Sequence, residues 1–473
     1  MLHHGYSDPS FRRSVIIPII KNKQKAASDS NNYRGIALSS IISKLVDIII
    51  IDKQNVFSKT SDLQFGFKDK SSTTHCTFVM NEVIEYYLSN GGQVYATFLD
   101  ASKAFDSVRF TNLFKLIVER DICPLIARFL AYCYTNQIGH VKWCSTLSKA
   151  FNIKNGVKQG GVLSPLLFNM YIDVLLSQLS QSGVGCHIGN KYMGSFAYAD
   201  DIVLLSPSVS SLNSQLEICE VFSQEYNIKF NAAKSKIITY GDSAISLEFQ
   251  GRIIPVCTSE KHVGNLVGTD PEIVHTVIRN ACNDMYSRLN LLLRQFKSLD
   301  RIILYKLFNN FCLSLYGSQL WKISSSKIME PLYIAWRKCV RRIFRLPYTT
   351  HCNLLPIIAN DLSLEFKLHN RYLNFLDSLC GSKNSCVNLC VKLIGIGSQS
   401  IVSNSLSYLC YLYDFDRSKI NNTFSRKFFK ISCPDPSEDL KIKGGLICDL
   451  IQYHQDNMLD MDVVDLITYL CTD

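Results

Sequence analysis

The sequence predicts an α+β fold: a sheet of short, largely antiparallel strands backed by helices, followed by a mostly helical second half. Three observations carry this. Strand-like apolar runs alternate with helically periodic stretches up to about residue 268. Two apolar runs are separated only by the turn Ala199-Asp200-Asp201, which reads as a β-hairpin with carboxylates at its tip. From about Asp270 the chain turns almost wholly helical.

The elements follow in order. Residues 15–20 are β-like and lead into a polar, basic stretch, KNKQKAASDSNN (residues 21–32), before an apolar run that begins at Ile36. Two strands, or a strand and a helix, joined by that tip would form a cationic finger; an ordinary solvated loop is the alternative. Gly91-Gly92 precedes residues 93–100 (QVYATFLD), whose β-branched and aromatic content reads as a buried strand. Residues 112–118 begin a helical pattern. Residues 192–198 and 202–205 are the two hairpin strands, and Leu212, Leu216, Cys219, Phe222 and Tyr226 then recur at the helical period. Residues 273–296 and 301–321 read as long amphipathic helices, and the segment from about His351 as helical and cysteine-rich. Boundaries are expected near 268 and 350.

Composition narrows the function. The 473 residues are 47% hydrophobic and 19% charged, which excludes a disordered chain. Fifty Lys and Arg against forty Asp and Glu leave a formal +10, a modest excess that favours a polyanionic partner over an acidic small molecule. The first fourteen residues carry His3, His4, Asp8, Arg12 and Arg13 without an apolar core, so no signal peptide is expected. The apolar run 36–51 is broken by serines, Lys44 and Asp47, so no membrane partner is expected either. Eighteen cysteines without a C-x-x-C pair then read as reduced, buried residues of a nuclear or cytoplasmic protein.

Asp100, Asp200 and Asp201 all fall at predicted strand tips, where a side chain stays accessible. Mg²⁺ takes oxygen ligands and is shared between one or two carboxylates and substrate phosphates. Two such ions can activate a hydroxyl and stabilise a leaving pyrophosphate. An Asp-Asp pair in a turn, taken alone, is equally an ordinary structural turn.

The surrounding motifs are more specific. They are IIPIIK (residues 16–21), NNYRGIALSSIISKLVD (31–47), LQFGFKDKSST (63–73), FLDASKAFDSV (98–108), GVKQGGVLSPLLFNMYID (156–173), FAYADDIVLLS (196–206) and NAAKSK (231–236). In this order, over roughly residues 12–268, they resemble the reverse transcriptase of a non-LTR (LINE-type) retrotransposon. The resemblance implies a right-hand polymerase: fingers and palm sheet over 12–268, a helical thumb-like region over 269–350, and a helical C-terminal extension of unknown role over 351–473.

It also implies roles. Asp100, Asp200 and Asp201 correspond to the metal-binding catalytic triad, holding two Mg²⁺ ions with Mn²⁺ as an alternative. Phe105 corresponds to the bulky residue under the nucleotide sugar, where a ring would repel a 2′-OH; its other reading is a core aromatic. Asp106 is read as structural. Gln159 and Gly160 would border the incoming nucleotide, although a Gly-Gly turn before a helix-starting Pro also occurs without any nucleotide site. Arg34 resembles the finger arginine that grips a triphosphate with its planar donors, with Gly35 where the family usually has Pro. Lys21 matches a basic finger position, or else is a solvated strand end. Lys234 resembles a lysine that protonates departing pyrophosphate, with Lys236 near enough to compete. In KHVGNLVG (261–268), Val263 stands where the primer-grip turn usually has an aromatic residue or Leu.

Residues 336–345, WRKCVRRIFR, read as a basic helix. Arg337, Arg341 and Arg345 would share one face, flanked by Lys338 and Arg342, with no acid among the ten residues. Such a face can follow a phosphate backbone, so template–primer contact is expected. Cys380, Cys386 and Cys390 lack a convincing zinc-knuckle spacing and read as buried. The expected partners are an RNA template, a DNA primer and deoxynucleoside triphosphates. The chain reads as a truncated element protein without an endonuclease. The alternatives are a catalytically silent nucleic-acid-binding remnant, or a group II intron-type reverse transcriptase–maturase.

Overall fold

The computed structural model describes residues 4–241 and 245–417, so the part of the expected 351–473 region from 418 onward lies outside the described residues. The chain divides into two compact units. The first runs to Val263 and includes 384–386; the second comprises 264–383 and the chain from 387.

The first unit is α+β. Strand β1 (Arg13–Ile20) pairs antiparallel with β2 (Tyr33–Ser39), Ile17 opposite Ile36, so the basic stretch 21–32 joins two strands rather than a strand and a helix. Asn32, buried at its base, folds the stretch back on itself: its amide nitrogen donates to the Asn22 carbonyl (2.8 Å) and its oxygen accepts from the Asn22 N–H (3.0 Å). On its other edge β1 pairs in parallel with Ile138–Trp143.

Helix α1 (Thr73–Ser89), capped by Ser72 on the His75 N–H, leads to strand β3 (Val94–Leu99). All six β3 residues are buried, so both faces of this strand are covered, as its unbroken apolar run requires. Helix α2 (Ser164–Gln181) begins with Pro165 in its first turn, where a missing N–H leaves no bond unmade, and it buries most of its length. Strands β4 (Ser195–Tyr198) and β5 (Asp201–Ser206), helix α3 (Val209–Tyr226) and strand β6 (Lys236–Tyr240) follow. The antiparallel sheet runs in the order β4-β5-β3-β6, with α1 and α2 packed on β4 and α3 on β5. Beneath it the Arg120 guanidinium and the buried Asp173 carboxylate pair at 2.6 Å.

The expected strand over 192–198 is two pieces. Tyr192 pairs with His187 in a separate two-stranded ribbon, and only Ser195–Tyr198 joins the sheet.

The second unit is helical in the residues described from α4 (Ile273–Gln295) onward, with α5 (Arg301–Phe311) and α6 (Ser326–Phe344) packed with α4. The expected helix over 301–321 is corrected: α5 stops at Phe311. Leu315 and Gly317 have positive φ (38° and 73°), and arginine side chains take the carbonyls that a further turn would use. Arg288 donates to Phe311 C=O, and Arg371 to Leu313 and Ser314 C=O. Among the described residues no single helix is long and apolar enough to cross a membrane.

Candidate functional site

The site is assembled at one end of the four-stranded sheet. Tyr198 and Asp201 are opposite each other across the β4–β5 hairpin, so Ala199 and Asp200 form a two-residue loop. Ala199 has φ +59°, and positive φ at the first loop position is the pattern that matches the twist of the flanking strands. Ile202 pairs with Leu99, the last residue of β3. The same register carries Asp100 level with Asp201, so residues a hundred positions apart meet at one sheet end.

The turn made by NAAKSK fixes Asp100. The Asp100 N–H donates to Ser235 Oγ (3.2 Å), and its carbonyl accepts from the Asn231 N–H (2.8 Å). Ser235 is buried, and its hydroxyl returns to the Asn231 carbonyl (2.9 Å). From this turn Lys234 Nζ reaches to 3.6 Å from Asp100 Oδ2. Lys236 lies one step on, at the start of β6 opposite Phe98.

The carboxylates crowd one another. Burial pushes the Asp200 pKa up and Asp100 adds repulsion, while its own backbone N–H and the Arg34 charge pull it down. Asp201 is pushed up to about 6, first by desolvation, then by Asp200 and Asp100, with Arg34 opposing. Arg34, exposed on β2, is thus the cation whose field reaches both hairpin aspartates.

Among the described residues no three His, Cys, Asp or Glu side chains close into a ready metal cage. The donor set still fits Mg²⁺ or Mn²⁺, because these ions use one or two carboxylates and take remaining ligands from water and substrate phosphates. Asp201 repelled by Asp200 and Asp100, with Lys234 paired to Asp100 at 3.6 Å, is the electrostatic arrangement that a divalent ion would relieve.

Beside the carboxylates, Phe105 is half-buried and stacks on Phe168 (centroids 4.3 Å apart, planes at 14°), with Phe67 edge-on at 6.4 Å. The ring is thus packed against Phe168 and partly accessible. The next loop is laid onto this region. Val157 N–H donates to Phe105 C=O and Gly156 N–H to Val108 C=O, both at 2.8 Å. Gln159 C=O then accepts from the Ala37 N–H of β2 (2.7 Å), and its side-chain amide reaches Asp106 Oδ1 at 3.4 Å. Gly160 has φ +107°, and a Cβ there would stand 3.0 Å from Ala37 O. Only glycine sits there without strain.

Two residues without an expected role support this loop. Asp47 accepts the Leu163 N–H, and burial pushes its carboxyl up to about 6; the Asp47 charge in turn offsets the burial that lowers the Lys158 pKa. Neither was legible beforehand, since a lone acid in an apolar run and a lone lysine in GVKQGG carry no spacing signal. Lys21 is exposed, with Nζ 3.2 Å from the Asn31 carbonyl, and its charge is among those that lower the Asp106 pKa against the burial that raises it.

In the second unit the basic helix differs from expectation. Arg345 is not on the helix face: it follows α6 with φ +56° as the C-cap. Arg337 is neutralised by Glu330, two turns upstream, at 2.8 Å. Arg341 donates to Thr350 C=O (2.6 Å), and Arg342, though exposed, to Asn290 Oδ1 (2.9 Å). The exposed cations are therefore Lys338, Arg342 and Arg345. Cys380, Cys386 and Cys390 are buried, and His369 Nδ1 pairs with the Tyr413 hydroxyl (2.9 Å).

A family model described as reverse transcriptase (RNA-dependent DNA polymerase) matches residues 20–268, more than half the chain. The chain is 24% identical over 409 residues to the RNA-directed DNA polymerase from mobile element jockey of Drosophila melanogaster, covering 81% of this chain and 43% of that protein. It is 24% identical over 236 residues to the retrovirus-related Pol polyprotein from type-1 retrotransposable element R2 of Nasonia vitripennis, covering 50% and 22%. The chain thus spans less than half the length of these relatives. Among solved structures, telomerase from Candida albicans in complex with a fragment of telomeric RNA aligns with a TM-score of 0.39 and 11% identity, covering 73% of this chain and 64% of that one.

Proposed function

The chain belongs to the reverse transcriptase (RNA-dependent DNA polymerase) family, with relatives among non-LTR retrotransposon polymerases, and on that premise we propose that it extends a DNA 3′-OH on an RNA template with deoxynucleoside triphosphates. The observation that carries this is the register that sets Asp100 level with Asp201 at the tip of the Ala199-Asp200 hairpin, with Lys234 alongside.

Two divalent ions held by Asp100, Asp200 and Asp201 would activate the primer hydroxyl and neutralise charge on the leaving group. The primer 3′-OH gives up its proton to solvent, its oxygen attacks the α-phosphorus, the bond to the bridging oxygen breaks, and pyrophosphate departs. Arg34 binds the triphosphate, its guanidinium pairing two phosphate oxygens at once. Gln159 and Gly160 border the nucleotide base, a role supported by the anchoring of their loop to Ala37 on β2 and to Phe105. Phe105 lies under the sugar and repels a 2′-OH. Protonated Lys234 hands its proton to the pyrophosphate oxygen as that bond breaks, the work of a general acid. Lys21, Lys338, Arg342 and Arg345 contact template–primer phosphates, while Arg337 is taken up by Glu330 within α6 and Arg341 by the Thr350 carbonyl.

The test is primer extension on an RNA template with Mg²⁺, beside Asp200→Asn. Extension by the parent that is lost in the variant supports the reading. Equal extension by both places the activity elsewhere, and no extension by either, with salt-sensitive RNA binding retained, favours a silent binding protein.

A further inference from the structure

Residues 63–66 run beside β4 as an outer rail. The Phe65 N–H donates to Ala197 C=O (2.8 Å), and the Ala197 N–H donates to Leu63 C=O (2.9 Å), so the rail follows the strand that carries the hairpin. Between them lies Gln64, with no exposed surface. Its side-chain oxygen accepts from the Gly66 N–H (2.8 Å) and from the Ala199 N–H (3.0 Å), and its nitrogen faces Ala199 C=O at 3.5 Å. One amide therefore grips both backbone groups of the residue before Asp200.

That residue needs holding. Ala199 carries positive φ without being glycine, a conformation disfavoured by roughly 1 kcal/mol or more and kept only where the surroundings determine it. The surroundings are built closely. A Cβ on Gly66 would stand 2.4 Å from the Ala199 nitrogen, so only glycine lets the rail come this near. The buried Asn169 side chain fixes Gly66 from α2, donating to its carbonyl at 2.7 Å.

From this geometry we infer that Gln64 is a positioning residue for the metal-binding carboxylates, clamping the strained Ala199 turn so that Asp200 and Asp201 meet Asp100 at one point. It touches neither substrate nor ion; its effect passes through the Ala199 backbone. The inference rests on the polymerase reading of the same site.

The decisive measurement is Mn²⁺ binding to the full chain, followed by loss of the free-ion EPR signal, alongside the Mg²⁺ dependence of primer extension. Gln64→Leu keeps the side-chain bulk and removes the acceptor, leaving two buried N–H groups unpaired. It is expected to weaken Mn²⁺ binding about tenfold and to raise half-saturating Mg²⁺ similarly, with the KM for primer unchanged. Gln64→Glu, nearly isosteric with the amide, keeps the oxygen that accepts from both N–H groups and is expected to restore binding to within about threefold. A merely structural role would lower the active fraction without moving metal affinity. Should Gln64→Leu not fold, Gln64→Asn carries the same test, since its shorter arm cannot reach both N–H groups. Metal affinity unchanged in a folded variant, while the parent binds Mn²⁺ and extends primer, overturns this inference alone. A parent that neither binds Mn²⁺ nor extends primer overturns the polymerase reading and this inference with it.

Discussion

Lys234 Nζ lies 3.6 Å from Asp100 Oδ2, and the turn that carries the lysine also hydrogen-bonds the N–H and C=O of that aspartate. Ammonium and carboxylate are thus set against each other by one piece of backbone. Both side chains remain substantially exposed (63% and 43%), so the pair is screened and contributes little to stability. In the proposed mechanism its value is positional: a cation that takes the carboxylate would release the ammonium towards a phosphate.

Lys234→Ala should therefore reduce the rate of nucleotide addition by about 10²-fold or more, the range for loss of a general acid, with the melting temperature nearly unchanged. Lys236→Ala, one residue beyond the turn and opposite Phe98, should stay within a few-fold of the parent. Single-turnover primer extension by the two variants decides between the lysines; equal losses would remove the assignment to Lys234.

Phe105 predicts a change in selectivity. Its ring stacks on Phe168 on one side and is partly accessible on the other, so truncation opens space without emptying the core. Phe105→Ala should raise ribonucleotide incorporation relative to deoxynucleotide by about 10²-fold, a size expected when a steric clash is relieved. The ratio of kcat/KM for a matched ribo- and deoxynucleotide measures this. An unchanged ratio with a lowered melting temperature would make Phe105 a core residue only.

Much of this was legible along the chain, for physical reasons. A run rich in β-branched and aromatic residues declared β3, a short apolar run declared β5, and a polar pair between apolar runs declared the hairpin tip. What stayed hidden depends on partners distant in sequence. Gln64 stood in the recognisable LQFGF without a role, because one of its hydrogen-bond partners is a turn 135 residues away. The end of α5 lay in an apolar stretch that looks helical, since the side chains that take the following carbonyls are those of Arg288 and Arg371. A charge pattern likewise cannot reveal that Arg345 is a left-handed cap, nor that Glu330 neutralises Arg337.

That correction separates two classes of cation on α6 and at its C-cap. Lys338→Ala and Arg345→Ala should each reduce the slope of log affinity against log salt by about 0.7–0.9 for every phosphate that the side chain neutralises, leaving stability intact. Arg337→Ala should leave the slope alone and cost about 0.5–1 kcal/mol, the range for a partly exposed ion pair. Salt titrations of RNA–DNA hybrid binding, with thermal melts of the same variants, provide the check. Identical slopes for parent and Lys338→Ala would remove that lysine from the interface.

Asp201 predicts the pH behaviour of the fold itself. Its carboxyl is pushed up to about 6 by desolvation and by Asp200 and Asp100, against an ordinary value near 4. With a raised folded-state pKa, its favourable contribution is complete below the ordinary value and is lost as pH rises through about 6. Above pH 6 the metal-free protein therefore charges Asp201 against the repelling carboxylates of Asp200 and Asp100. Asp201→Asn removes one of them and should raise the melting temperature at pH 7.5 by about 1–3 °C, modest because the side chain is partly solvated. At pH 5, where the parent carboxyl is mostly protonated, the gain should shrink. Millimolar Mg²⁺ or Mn²⁺ at pH 7.5 should stabilise the parent more than the variant, because binding of an ion to the folded state adds stability that rises with the logarithm of the ion concentration over Kd. Thermal melts of both proteins, with and without the ion at the two pH values, measure all three differences. A variant no more stable than the parent at pH 7.5 would mean that the carboxylates do not repel one another and that the ion has no strain to relieve.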